Sequence, residues 1–116
     1  MIPEIICNKR NNAVRAVERF CSERGIKVAV REIGKRPLLA AELTRFASAV
    51  GGAELLVDQE STTYKKRGFA YMDYDPIEEL SADSSLAKLP IVRTDNGLAV
   101  APDTAELERL FRKMRD

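Results

Sequence analysis

The spacing of apolar positions changes several times along this chain. Residues 2–7, IPEIIC, are apolar at almost every position, the pattern of a short strand buried on both faces. From Asn11 or Asn12 the spacing becomes helical. Ala13, Val14, Val17, Phe20 and Cys21 share one stripe, and the pattern continues to about Arg24. Either asparagine can cap this helix, and Gly25 ends it as a left-handed C-cap glycine. Residues 27–33, KVAVREI, alternate, with Val28 and Val30 on one face, which predicts a strand near a sheet edge.

Pro37 precedes a second helical pattern over 38–50, with Leu39, Leu43, Phe46, Ala47 and Val50 as its stripe and Gly51-Gly52 as its stop. Residues 53–88 carry shorter patterns, AELLVD, TTYKKRGF and IEELSADSSLAKL, which predict short helices joined by loops. LPIVRT (89–94) is strand-like after a proline, DNG (95–97) signals a turn, and LAVA (98–101) is the returning strand of a hairpin. A last helix follows Pro102. Asp103 caps it, with Glu106 three residues on as in a capping box. Leu107, Leu110, Phe111 and Met114 line its inner face, and Arg112, Lys113 and Arg115 suit the negative end of its dipole.

The order is strand, helix, strand, helices, strand, strand, helix. Its βαβ opening implies a right-handed parallel crossover, and its closing hairpin adds an antiparallel pair. The expected architecture is a single α/β domain over 1–116, a sandwich around a mixed four-stranded sheet flanked by helices. At 116 residues and 45% hydrophobic content the chain can build an ordinary core without metal or disulfide staples.

Composition removes several kinds of chemistry. A formal charge of +1, from 19 basic and 18 acidic residues, argues against a nucleic-acid or membrane-surface protein. With 3 tyrosines, 4 phenylalanines and no tryptophan, stacking platforms for bases are not indicated. No stretch approaches a transmembrane span, and MIPEII lacks the positive leader of a signal peptide, so a cytoplasmic location is expected. The absence of histidine removes Ser-His and Cys-His dyads, and with only Cys7 and Cys21 beside it no zinc site and no cofactor is expected. Both cysteines are expected as free thiols, because about 15 Å of helix, at 1.5 Å per residue, separates Asn11 from Cys21.

That element order resembles the thioredoxin fold, and three separated segments narrow the match. VRAVERFCSERGIKV resembles the first helix of the arsenate reductase (ArsC)/Spx family, which starts after a redox loop and ends in glycine before the second strand. ELLVDQESTTYKKRGF resembles that family's middle segment, where an LL pair leads to a TTYKKLG-like run. LPIVRTDNGLAVAPDTAEL is similar to its proline-isoleucine-valine strand, hairpin and C-terminal helix. The resemblance implies a thioredoxin-like, ArsC/Spx-type fold with a cis Leu89–Pro90 bond.

It also implies a site that this chain has lost. Arg15 resembles the arginine four residues after the family's catalytic cysteine, which places that cysteine on Asn11. The second cysteine of Spx-like members falls on Val14. The family's oxyanion-holding arginines fall near Gln59 or Glu60, on Leu89, and near Ala101. A carboxamide has no thiolate with which to attack, so the resemblance implies a non-catalytic binding or regulatory module. By analogy with Spx-like proteins, its partner would be a protein such as RNA polymerase.

Three candidate chemistries remain. Cys7 is either a relocated nucleophile, its thiol pKa lowered by Lys9, Arg10 and the helix N-terminus, or a small buried residue closing a strand. In the first case the chain is a thiol-dependent oxidoreductase of the arsenate reductase type. Asn11 and Asn12 either cap the helix or offer a carboxamide to a ligand. Lys9, Arg10 and Arg15 can surround the free N–H groups of the first helix and hold a small anion, or they are simply solvated. The candidate binding set is Asn8, Lys9, Arg10, Asn11, Asn12, Arg15 and Pro90, which would face a small anion or thiol, with Cys7 as the one candidate catalytic residue. Cys21 belongs to the core, and Lys65, Lys66 and Arg67 form a wet helix face.

Overall fold

The structure is a computed structural model, and residues 2–112 of it are described. Met114, Lys113 and Arg115, assigned above to the last helix, lie outside the described residues. Residues up to Lys35, together with those from Leu89 onward, form one compact unit, and Arg36–Lys88 form a second.

The first unit holds the sheet. Strands β1 (Glu4–Cys7), β2 (Ala29–Glu32), β3 (Ile91–Thr94) and β4 (Gly97–Val100) lie in the order β2-β1-β3-β4. β1 runs parallel to β2, with Cys7 opposite Glu32, and antiparallel to β3, with Glu4 opposite Arg93 and Ile6 opposite Ile91. β3 and β4 form the expected hairpin, with Thr94 opposite Gly97. β2 is an edge strand, as its alternation predicts, whereas β1 is buried at every position because it has a strand on each side.

One face of the sheet carries Ile5, Cys7, Val92 and Ala99. Helix α1 (Asn12–Glu23) adds Val14, Val17, Phe20 and Cys21 to that cluster, and the C-terminal helix adds Leu107, Leu110 and Phe111. The Phe20 and Phe111 rings meet at 5.8 Å between centroids. Burying a side chain of this size contributes about 1.5–3 kcal/mol, so this cluster is a main source of the unit's stability. The opposite face pairs charges: Glu4 lies 3.5 Å from the Arg93 guanidinium and 4.0 Å from that of Arg31. Arg31 is buried in spite of its charge. Ala13 departs from its predicted place on the α1 stripe and is exposed, because only Val14, Val17, Phe20 and Cys21 turn onto the sheet.

The second unit is helical, as the short patterns of 53–88 predict. It contains α2 (Ala40–Val50), α3 (Thr62–Lys66) and α4 (Pro76–Ala82), with single 3-10 turns at Ala53–Leu56, Phe69–Tyr71 and Ser84–Leu86. Leu43 and Phe46 are the buried positions of α2. Leu39 is a correction: it stands outside the helix as its N-cap and is 63% exposed, while its neighbour Leu38 is buried. The Leu38 N–H donates to the Ser84 hydroxyl at 3.1 Å, and the Leu38 side chain takes the buried place instead. Asp75 caps α4 through the N–H groups of Ile77 and Glu78, with Pro76 preset at the first position. Tyr64, Phe69 and Tyr74 form an aromatic cluster with centroids 4.7–6.3 Å apart. On the last element of the chain, α5 (Thr104–Leu110) in the sheet-bearing unit, Asp103 and Glu106 form the predicted capping box.

Candidate functional site

Strand register brings the candidate residues to one end of the sheet. Ile6 opposes Ile91, and Ile91 opposes Val100. The next residues outward are therefore Cys7 on β1, Pro90 before β3 and Ala101 after β4. Helix α1 starts from the same end, because the turn over 8–11 leaves β1 there. The Leu89–Pro90 bond is cis, as the resemblance implies. The Pro90 carbonyl accepts the Ala101 N–H at 2.7 Å, and Ala101 has a positive φ of 47°, uncommon for a residue with a side chain. Sequence reasoning placed Ala101 only as a lost arginine and missed this tie, which depends on hairpin register.

Asn11 is the residue at the mouth of the helix. Its backbone is extended, its carboxamide oxygen accepts the Val14 N–H at 3.0 Å, and its carbonyl accepts the Arg15 N–H at 3.0 Å. The choice between the two asparagines is thus resolved in favour of Asn11 as cap, with Asn12 the first helical residue. The N–H groups of Asn12 and Ala13 belong to the first turn, where a helix has no acceptor of its own to offer. Asn8, Lys9, Arg10, Asn11, Asn12 and Arg15 are all exposed around this opening. Arg10 is directed to Glu18, 3.9 Å away and one helical stripe along, so part of the local positive charge is met within α1 itself.

Cys7 closes β1 inside the core. Its side chain is 1% exposed and belongs to the core cluster beneath α1. Its carbonyl accepts the Ile33 N–H at 2.9 Å. The lowered thiol pKa suggested by Lys9 and Arg10 is corrected: burial pushes the Cys7 thiol up, the Glu32 carboxylate opposite adds to this, and Arg10 offsets only part of it. The Glu32 neighbour comes from the parallel β1–β2 register, which sequence spacing alone does not disclose. Cys21 is fully buried, and burial raises its pKa to about 11. Both cysteines are free thiols.

A second concavity belongs to the helical unit alone. A cleft of about 430 Å³ is lined by Gln59, Glu60, Tyr64, Lys65, Gly68, Ala70 and Tyr71. Gln59 and Glu60 are the positions where the resemblance expects an oxyanion-holding arginine. A carboxamide and a carboxylate stand there instead, with Lys65 3.5 Å from the Glu60 carboxylate. Lys65, Lys66 and Arg67 are exposed, and Arg67 pairs with Glu79 at 3.0 Å. Among the described residues, no group of three or more acidic or cysteine side chains could hold a metal ion, and no helix is long and apolar enough to cross a membrane.

No protein-family profile matches the chain, and no curated protein matches it. Solved structures do. An ArsC-family-related protein from Bacteroides fragilis superposes with a TM-score of 0.82 at 19% identity, covering 95% of this chain and 98% of its own. An arsenate reductase (ArsC) related protein from Brucella melitensis is 25% identical with a TM-score of 0.69, covering 97% of this chain and 96% of its own. An arsenate reductase from Vibrio cholerae is 15% identical with a TM-score of 0.77, covering 94% of each chain. These likenesses extend over almost the whole length of both partners. They establish the thioredoxin-like α/β architecture of ArsC-related proteins for this chain.

Proposed function

We propose that this chain, built on the fold of ArsC-related proteins, is a non-catalytic binding or regulatory module of the ArsC/Spx type. The observation that carries this reading is Asn11. A carboxamide caps the helix where the resemblance puts a nucleophilic thiol, and its oxygen is already engaged with the Val14 N–H. The remaining nearby sulfur, on Cys7, is buried, and burial pushes its thiol pKa up. A thiolate is the attacking species in reductase chemistry of this kind. Leu89 before the cis proline and Ala101 after the hairpin supply no guanidinium for an oxyanion, which also favours binding over turnover. The partner in this reading is a protein in the cytoplasm. RNA polymerase is the first to test, on the Spx-like resemblance alone.

The test is alkylation of the native protein at neutral pH, paired with arsenate and glutathione-disulfide turnover assays. The expected result is no thiol modified until denaturant is added, and no turnover. Rapid alkylation of native Cys7, with turnover lost in Cys7→Ser, would instead support a thiol-dependent oxidoreductase of the arsenate reductase type.

A second reading is supported by the exposed Lys9 and Arg15 beside the open first turn of α1: a small anion held at the helix N-terminus. Phosphate or sulfate would then raise Tm, and Arg10→Ala, which removes a cation close to that turn in sequence, would abolish the shift. An unchanged Tm across the series removes this reading and leaves the first intact.

A further inference from the structure

The Asp95-Asn96-Gly97 turn does more than reverse the chain between β3 and β4. The Asn96 carboxamide nitrogen donates to the Leu110 carbonyl at 3.0 Å and to the Arg112 carbonyl at 2.9 Å. Leu110 is the last residue of α5, where a helix runs out of its own donors, and Arg112 lies just past its cap, Phe111. Thr94 supports the same contact. Its buried hydroxyl donates to the Leu110 carbonyl at 2.8 Å and accepts the Asn96 backbone N–H at 3.0 Å. The hairpin turn is therefore a latch on the C-terminal end of α5. Of the four asparagines, Asn8, Asn11, Asn12 and Asn96, only Asn96 is followed by glycine. Gly97 has a φ of 132° and no side chain to shield its backbone nitrogen from the preceding carboxamide.

We propose that Asn96–Gly97 is a deamidation site gated by this latch, and that its conversion releases the end of α5. In the step, the Gly97 backbone nitrogen loses its proton to solvent hydroxide and attacks Asn96 Cγ. The Cγ–Nδ2 bond breaks, and Nδ2 takes a proton from water and leaves as ammonia. Water then opens the resulting succinimide at either carbonyl, giving an aspartyl or an isoaspartyl residue, with no change of oxidation state. While the latch is closed, Nδ2 is held by two carbonyls and the turn is fixed between paired strands, so reaction waits for local opening. Afterwards the side chain is a carboxylate with no donor, facing two carbonyl oxygens that had been its acceptors.

The test incubates the full chain in mildly alkaline buffer, folded and urea-unfolded, and follows Asn96 by peptide mass and isoaspartyl-specific methylation. Asn96 is expected to convert at least about tenfold more slowly in the folded chain, the factor set by the opening equilibrium. Asn8, Asn11 and Asn12 stay unmodified in both and serve as internal controls. Thr94→Val is expected to speed conversion in native buffer and leave the unfolded rate unchanged. Asn96→Asp is expected to fold with a lowered Tm, and it keeps the proposal testable should the Thr94 variant not fold. Equal rates in the folded and unfolded chains overturn the gating, and a wild-type Tm for Asn96→Asp overturns the release of α5.

Discussion

The Asn11 carboxamide oxygen accepts the Val14 backbone N–H at 3.0 Å, so the side chain that opens helix α1 is spent on the helix itself. Removing that acceptor should cost what an N-cap is worth. Asn11→Ala is expected to lower unfolding free energy by about 1 kcal/mol in urea denaturation. Asn11→Cys places a thiol at the helix N-terminus, where the dipole favours thiolate. It should be alkylated at neutral pH under native conditions in which the parent protein is not, as read by intact mass.

The buried thiols make stability depend on alkaline pH. Burial raises Cys21 from 9.0 to about 11. A thiol whose folded pKa lies above its unfolded value favours the folded state while it is protonated. Its contribution is complete below the unfolded pKa and is lost as pH rises toward the folded one. Urea unfolding should therefore show stability falling between pH 9.0 and about 11. Cys21→Ala should be less stable overall but show a shallower fall over that range.

Glu4 sits between two guanidiniums, 3.5 Å from Arg93 and 4.0 Å from Arg31, and its side chain is only 12% exposed. Glu4→Gln keeps the shape and removes the charge, leaving both cations beside a neutral amide. Breaking a buried pair from one side costs about 3–5 kcal/mol, and the partial exposure of Arg93 brings the expectation to the lower end of that range. The check is the urea midpoint of the variant at unchanged m-value.

Leu39 and Leu43 stand one helical turn apart and should behave very differently. Leu43 is fully buried, so Leu43→Ala is expected to cost about 2–5 kcal/mol through lost burial and the cavity left behind. Leu39 is mostly exposed, and Leu39→Ala is expected to fall within about 0.5 kcal/mol of the parent. Thermal denaturation of the two variants in parallel decides this. Equal losses would mean that Leu39 is covered in solution.

Local rules carried much of the architecture from sequence. The caps at Asn11 and Asp103, the left-handed Gly25 and Gly51, and the hairpin at Asp95-Asn96 are decided within a few residues by hydrogen-bonding side chains and allowed backbone angles. Continuous burial of Glu4–Cys7 and the edge position of β2 were legible because apolar runs and alternation report how many neighbours a strand has. The candidate site was legible only in its loss: the sequence by itself determines that position 11 bears an amide and that positions 89 and 101 bear no guanidinium.

Tertiary structure decided what those residues meet. Spacing could not tell whether Lys9 and Arg10 or the core governs Cys7; the β1–β2 register put Glu32 opposite the thiol and α1 over it, so burial prevails. Nor could spacing show that Asn96 reaches the end of α5, or that the Ala101 N–H closes on the Pro90 carbonyl, since each joins residues brought together only by strand pairing. Turns and caps act over a few bonds, whereas desolvation, charge pairing and cross-strand contact depend on which distant segments are brought beside a group and exclude water from it. Only the folded chain settles that.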